Sequence, residues 1–182
     1  TDLADATYAA LQQGHFPLIT GGDHSVAMGS VSATSHFYRE KQQEIGLLWF
    51  DAHGDMNTPE SSPSGNIHGM PLAHLLGDGD RELVDILSPG AKVKPENVVL
   101  MGVRDIDKSE QQIIRDSGVH VFTMRDIDER GMAEPGRVIV AALDKIDHLT
   151  RQPRRFGIFF ANVGRFSGVL HEPAGGDVAI IV

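Results

Sequence analysis

"IGLLWFDAHGDMNT", residues 45–58, carries the reading of the fold at its midpoint. Ile45–Phe50 is apolar at every position, as expected of a strand covered on both faces of a parallel sheet. The run then breaks off into Asp51, His53 and Asp55, followed by a polar loop that reaches His68 and Pro71. Side chains at i, i+2 and i+4 of an extended segment project to one side, so this strand is expected to deliver three ligand-type groups together at its carboxyl end.

The same alternation extends outward in both directions. "ADATYAALQQGH" reads as a helix, "FPLIT" (16–20) as a buried strand, and Ser25 as the cap of a helix running to about Tyr38. "GMPLAHLLG" starts another helix. "NVVLMGV" (97–103) is a strand, "RDIDKSEQQIIRDSG" a turn and helix, and "VHVFT" (119–123) a strand. Ile139, Leu143, Ile146 and Leu149 recur at helical spacing, and "FGIFFA" (156–161) reads as a fifth strand. Strands alternating with helices predict an α/β domain with a mainly parallel sheet. Thr20 leads to Asp23 and His24, Phe50 to Asp51, and Val103 to Asp105 and Asp107. Polar groups therefore gather at the strand ends where open α/β sheets bind ligands.

Composition narrows the partners. The 182 residues suit a single domain over 1–182, with no repeat and no domain boundary. Sixteen basic residues against 25 acidic ones give a net charge of −9 without a basic block, which argues against nucleic acid and anionic membranes. The chain has no cysteine, hence no thiolate ligand or cysteine nucleophile. No apolar run approaches the ~18 residues of a membrane span. The chain opens on Thr1 rather than Met, so its true N-terminus is expected to lie upstream.

Two carboxylates in one confined site repel each other unless a cation sits between them. Asp51, His53 and Asp55, with His24 from a neighbouring strand, offer oxygen and imidazole ligands that fit Mn²⁺, Zn²⁺ or Mg²⁺, with the carboxylates favouring Mn²⁺. A bridging carboxylate permits two ions. The motif taken alone also serves as a polar loop with capping aspartates, and His24 alone could simply open a helix.

"GGDHS" (21–25), "DAHGDMNT" (51–58), "SGNIHGMP" (64–71) and "GVRDID" (102–107) together resemble, in order and spacing, the arginase branch of the ureohydrolases. The resemblance covers about residues 16–149 and is nearest in flavour to bacterial arginases. It implies a three-layer αβα fold of the arginase/deacetylase kind, here incomplete. It also implies a metallohydrolase that converts L-arginine to L-ornithine and urea through a metal-bridging hydroxide. His24 and Asp55 match ligands of the first manganese, Asp51 the bridge between two, and His53 a ligand of the second. Asp55 also matches the group that handles the hydroxide's proton, and His68 the proton-shuttling histidine, with capping of the helix that follows as the lesser alternative for His68. Asn57, Ser64 and Asn66 match residues that read the substrate's α-carboxylate. Asp107, assisted by Glu110, matches the acceptor for the α-ammonium, while both acids also suit a helix N-terminus. The family implies a cytoplasmic enzyme of arginine metabolism, assembled as trimers or hexamers.

The tail 154–182 departs from that pattern. The strand at Phe156–Phe160 is followed by Ala161, Asn162 and Val163, where the family carries Asp-x-Asp, and Asp177 is the only later aspartate. A diverged homologue, a truncated or alternatively spliced product and a reading-frame error are the three explanations. With two carboxylates missing, the second ion is expected to bind weakly and this chain to show little or no activity. The alternatives are an inactive arginase-like fragment or pseudoenzyme that binds metal or an amino acid, and an agmatinase-type ureohydrolase.

Overall fold

The computed structural model describes residues 2–133, 135–137, 156–160 and 178–181, the last two ranges as strand backbone. Six parallel strands form one sheet: β1 (Leu18–Ile19), β2 (Gly46–Phe50), β3 (Val98–Val103), β4 (His120–Thr123), β5 (Phe156–Phe160) and β6 (Val178–Ile181). Their order across the sheet is β1-β6-β5-β2-β3-β4, so β2 and β3 lie in its interior. The helices are α1 (Asp2–Gln12), α2 (Val26–Arg39), α3 (Pro71–Leu76), α4 (Arg81–Val84), α5 (Lys108–Ser117) and α6 (Met124–Arg130).

The period of two along β2 and β3 sorts their side chains onto the two faces of the sheet. Leu47, Trp49, Val98 and Leu100 join the larger core with Val31 of α2, Leu72 and Leu75 of α3 and Ile114 of α5. Leu48, Val99 and Met101 form a smaller cluster on the opposite face, against Phe122 of β4 and Ile127 of α6. Helices therefore cover both faces, giving the expected αβα layering. No helix among the described residues is long and apolar enough to cross a membrane.

Several local expectations need correction. "FPLIT" is not a buried strand: β1 has two residues, Leu18 is 63% exposed and Phe16 49%. β1 is an edge strand paired only with β6 among the described residues, so nothing there covers Leu18. Ser25 does not cap α2 with its side chain; its N–H instead donates to Asp23 Oδ1 at 2.9 Å. Strand β6 and helices α4 and α6 were not foreseen, although Thr123 and Asp126 form a capping box legible as Thr-x-x-Asp. The helix expected around Ile139–Leu149, and Ala161, Asn162, Val163 and Asp177, lie outside the described residues.

Lys92, on the loop before β3, is 2% exposed, and its amine donates to the Ser88 carbonyl. Burial, with repulsion from Arg39, lowers its pKa to about 8, against a partial pull upward from Asp85. Between about pH 8 and the ordinary 10.5 the unfolded chain holds a proton that the native chain has shed, so stability rises with pH across that window. The rise is on the order of 3 kcal/mol. Lys92→Met removes this dependence and raises stability at pH 7 by about 1–2 kcal/mol, part of the gain being offset by the Ser88 carbonyl left without its donor. Urea unfolding at pH 7, 8.5 and 10 checks both statements. A wild-type midpoint that stays flat over the range would refute the account of Lys92.

Candidate metal centre

β2 ends at Phe50, and the chain enters a turn rather than continuing extended. Asp51 N–H donates to the Met101 carbonyl at 3.0 Å, and the Ala52 carbonyl accepts the N–H groups of Arg104 and Asp105 at 2.8 and 2.9 Å. Asp55 then takes φ +54°, the left-handed region that a non-glycine residue seldom occupies. Its carbonyl accepts the N–H groups of Leu72 and Ala73, two of the donors that the start of α3 leaves unpaired. Asp51 and Asp55 thus meet because the chain turns between them, not through the extended period of two that the sequence suggested.

His24, two residues before α2, closes the group from the neighbouring loop. Its Nδ1 lies 2.9 Å from Asp51 Oδ2 and 2.6 Å from Asp55 Oδ2, and its ring rests on Trp49 with centroids 3.9 Å apart. His24, Asp51 and Asp55 are 8%, 6% and 3% exposed, and their ligand atoms lie within 4.8 Å of one another. His53 stands outside this trio. Its Nδ1 is 3.1 Å from Asp51 Oδ1, its Nε2 is 3.8 Å from Asp105 Oδ2, and its side chain is 48% exposed. The two oxygens of Asp51 therefore face two different imidazoles, as a bridging carboxylate requires.

Electrostatics match this geometry. Burial alone would lower the His24 pKa, but the hydrogen bonds and charges of Asp51 and Asp55 outweigh it and raise the pKa above the ordinary histidine value. Burial pushes Asp51 up, yet the bonds from His24 and the His53 N–H leave its pKa lowered. Asp55 is raised, by burial first and by repulsion from Asp51. An imidazole nitrogen between two carboxylates stands where the charge of a cation belongs. One imidazole nitrogen and two buried carboxylates, with no sulfur, are a donor set suited to a divalent ion such as Mn²⁺.

The other residues singled out from the sequence fall into three places. Asn57 is buried, with Nδ2 donating to Asp107 Oδ2 at 2.9 Å and Oδ1 accepting from Ser61 Oγ at 2.8 Å. Asp107 caps α5, accepting from Glu110 N–H and Ser109 Oγ, and these bonds hold its carboxyl below the usual range. Ser64, Asn66 and His68 sit exposed on the loop and on a short 3₁₀ turn, Ile67–Gly69; Ser64 Oγ accepts from Asn66 N–H at 3.2 Å. Asp23 carries a lowered pKa, through its bonds from Ser25 first. Glu110 is 4% exposed with its carboxyl on the backbone of the turn, where Met56 N–H donates to Oε1 at 2.9 Å. Sequence reasoning missed the roles of Trp49 beneath His24 and of Ser61 and Ser109, which tie the loop to α5 through Ser109 Oγ and the Ser61 carbonyl.

Comparison with known proteins gives one consistent answer. The model of the arginase family matches residues 1–151. An arginase of Staphylococcus aureus (strain COL) is 53% identical over 126 residues, which are 69% of this chain and 40% of that protein. An arginase of Bacillus subtilis (strain 168) is 46% identical over 142 residues, 78% of this chain and 46% of that protein. Among solved structures, an arginase from Entamoeba histolytica in complex with L-ornithine aligns with TM-score 0.79 at 28% identity. That alignment covers 99% of this chain and 66% of the other. The chain spans less than half the length of these two curated relatives.

Proposed function

Since the chain belongs to the arginase family, we propose that its site serves the Mn²⁺-dependent hydrolysis of L-arginine to L-ornithine and urea. One observation supports this above the rest: His24, Asp51 and Asp55 converge at the carboxyl ends of the strands, with His53 on the far oxygen of Asp51. His24, Asp51 and Asp55 would hold a first Mn²⁺, with His53 and the far oxygen of Asp51 left for a second. The metal would supply the Lewis acidity that makes water a nucleophile at neutral pH. That chemistry is needed because three nitrogens share the charge of a guanidinium and leave its carbon a poor electrophile.

The chain's own residues divide the remaining work. Asp55, beside His24 in the ligand group, hydrogen-bonds the hydroxide and handles its proton after attack. His68, exposed on its loop, carries a proton to the departing amine. Asp107 stays ionised at neutral pH and accepts from the α-ammonium, with Glu110 assisting through its N–H, which fixes Asp107 Oδ1 at 2.8 Å. Asn57, Ser64 and Asn66 read the α-carboxylate. L-Ornithine, present in the related Entamoeba histolytica structure, carries the same two α-groups. A cytoplasmic, self-associating enzyme of arginine metabolism belongs to the same reading.

A second reading rests on the ligand count. On the Oδ1 side of Asp51 the described residues supply His53 and the exposed Asp105, which do not close into a second ligand group, so a second ion has a poor site. A chain that binds one Mn²⁺ and an amino acid without turnover would then be the outcome.

Calorimetry of the Mn²⁺-loaded chain with L-arginine and agmatine tests the substrate, and a urea assay tests turnover. Agmatine lacks the carboxylate, and the charge-assisted bonds lost with it make its affinity at least about tenfold weaker. One tight Mn²⁺ per chain and slow or no urea release are expected. Equal affinities for the two amines would discard the arginine reading, and two tight ions per chain would discard the impaired second site.

A further inference from the structure

Glu110 lies in the first turn of α5, far in sequence from the segment it touches. Its Oε1 accepts the Met56 N–H at 2.9 Å, and Gly54 N–H bonds the same carboxylate. These amides flank Asp55, the residue forced to positive φ. Contact is tight on this side: a Cβ added to Gly54 would sit 2.8 Å from Glu110 Cδ, 2.9 Å from Oε1 and 2.6 Å from Ile114 Cδ1. From the other side the Leu72 and Ala73 amides grip the Asp55 carbonyl. Asp55 is clamped between two helices, and Glu110 is the polar half of one jaw.

We propose that Glu110 is a positioning residue that fixes the left-handed turn at Asp55 and so sets the aim of the carboxylate facing His24. The proposal rests on the reading of His24, Asp51 and Asp55 as metal ligands. Three features support it. A carboxyl 4% exposed and spent on backbone amides is directed at the turn. Left-handed backbone at a non-glycine residue costs energy and persists only where its surroundings impose it. Glu110 itself cannot wander, because its own N–H is fixed to Asp107 Oδ1 at 2.8 Å. The start of α5 thus ties the Asn57–Asp107 pair to the ligand turn through one rigid element.

The test titrates the 182-residue chain and four variants with Mn²⁺, and follows hydrogen exchange of the Gly54 and Met56 amides without metal. Glu110→Ala is expected to weaken Mn²⁺ binding by about 10–100-fold, the range for losing a group that orients a ligand. Both amides should then exchange at least about tenfold faster, having lost their acceptor. Glu110→Gln retains an acceptor oxygen and should stay within about threefold of wild type. Glu110→Asp keeps the charge but falls short of the turn, and serves if the alanine variant does not fold; it should weaken binding about tenfold. Val98→Ala, buried at the opposite end of β3, should lower stability without moving the metal affinity. Unchanged Mn²⁺ affinity and unchanged exchange in Glu110→Ala, or Glu110→Gln as damaged as Glu110→Ala, would overturn the proposal. If the wild-type chain binds no Mn²⁺, the metal reading falls, while the exchange rates still decide whether Glu110 holds the turn.

Discussion

An Asp55→Asn chain will bind Mn²⁺ at least about 100-fold more weakly than wild type, the upper end of what losing a mere supporting partner costs. Asparagine is the informative replacement because it tolerates the left-handed backbone that Asp55 adopts at φ +54°. The turn therefore survives, and the lost affinity reports the charge alone. Without metal the variant should be as stable as wild type or more so, since burial and Asp51 already oppose the ionised form of Asp55. Asp55→Ala would add the conformational penalty of about 1–2 kcal/mol and blur the two effects. Calorimetric Mn²⁺ titration with parallel urea unfolding checks the pair, and an Asn variant binding as tightly as wild type would remove Asp55 from the ligand set.

The same titration has a pH dependence of definite sign. In the metal-free chain His24 has a pKa raised above 6.5, so its pairing stabilises the fold fully below pH 6.5 and fades as pH climbs through the raised value. Asp55, also raised above its unfolded 3.8, likewise loses stability as it ionises on the way up. Mn²⁺ must displace the His24 proton to reach Nδ1. Binding at pH 6.5–7 should therefore release protons, and affinity should increase with pH until His24 is neutral. Calorimetry in two buffers of different ionisation enthalpy measures the release directly.

Gly54→Ala is expected to cost about 2–3 kcal/mol of stability, the usual range for overpacking a filled site. The added methyl would meet Ile114 Cδ1 and the Glu110 carboxyl at 2.6–2.9 Å, and Ile114 belongs to the main core. Either α5 retreats, loosening the caps at Asp107, or the turn shifts and Asp51 and Asp55 separate. Both routes weaken Mn²⁺ binding, by about tenfold or more. Gly69→Ala is the matched control: like Gly54, that glycine is not at positive φ, but nothing lies within 4 Å of an added Cβ. A loss in Gly69→Ala as large as that in Gly54→Ala would show that crowding against α5 is not what makes the Gly54 substitution costly.

What could be read without coordinates was local. An apolar run with no polar position has to be a strand buried on both faces, and β2 and β3 are. Asp107 before "KSEQQIIRDSG" caps α5, and Gly118 ends it in the left-handed conformation, because caps act over three or four residues. The ligand types at 24, 51, 53 and 55 were visible too, since donor chemistry belongs to the side chain. The two-residue exposed β1 escaped, because an edge position depends on which strand lies beside it, and that neighbour, β6, comes about 160 residues later.

The sequence by itself determined the alternation of strands and helices and the chemistry gathered at the strand ends, because both are written in periods of a few residues. Only the tertiary structure decided that His24 reaches the two carboxylates while His53 stands on the other side of Asp51, and that Glu110 braces the turn. It likewise decided that Lys92 is buried beside Arg39. Such relations are set by how the sheet and helices stack, which brings together groups 27–54 positions apart on the chain.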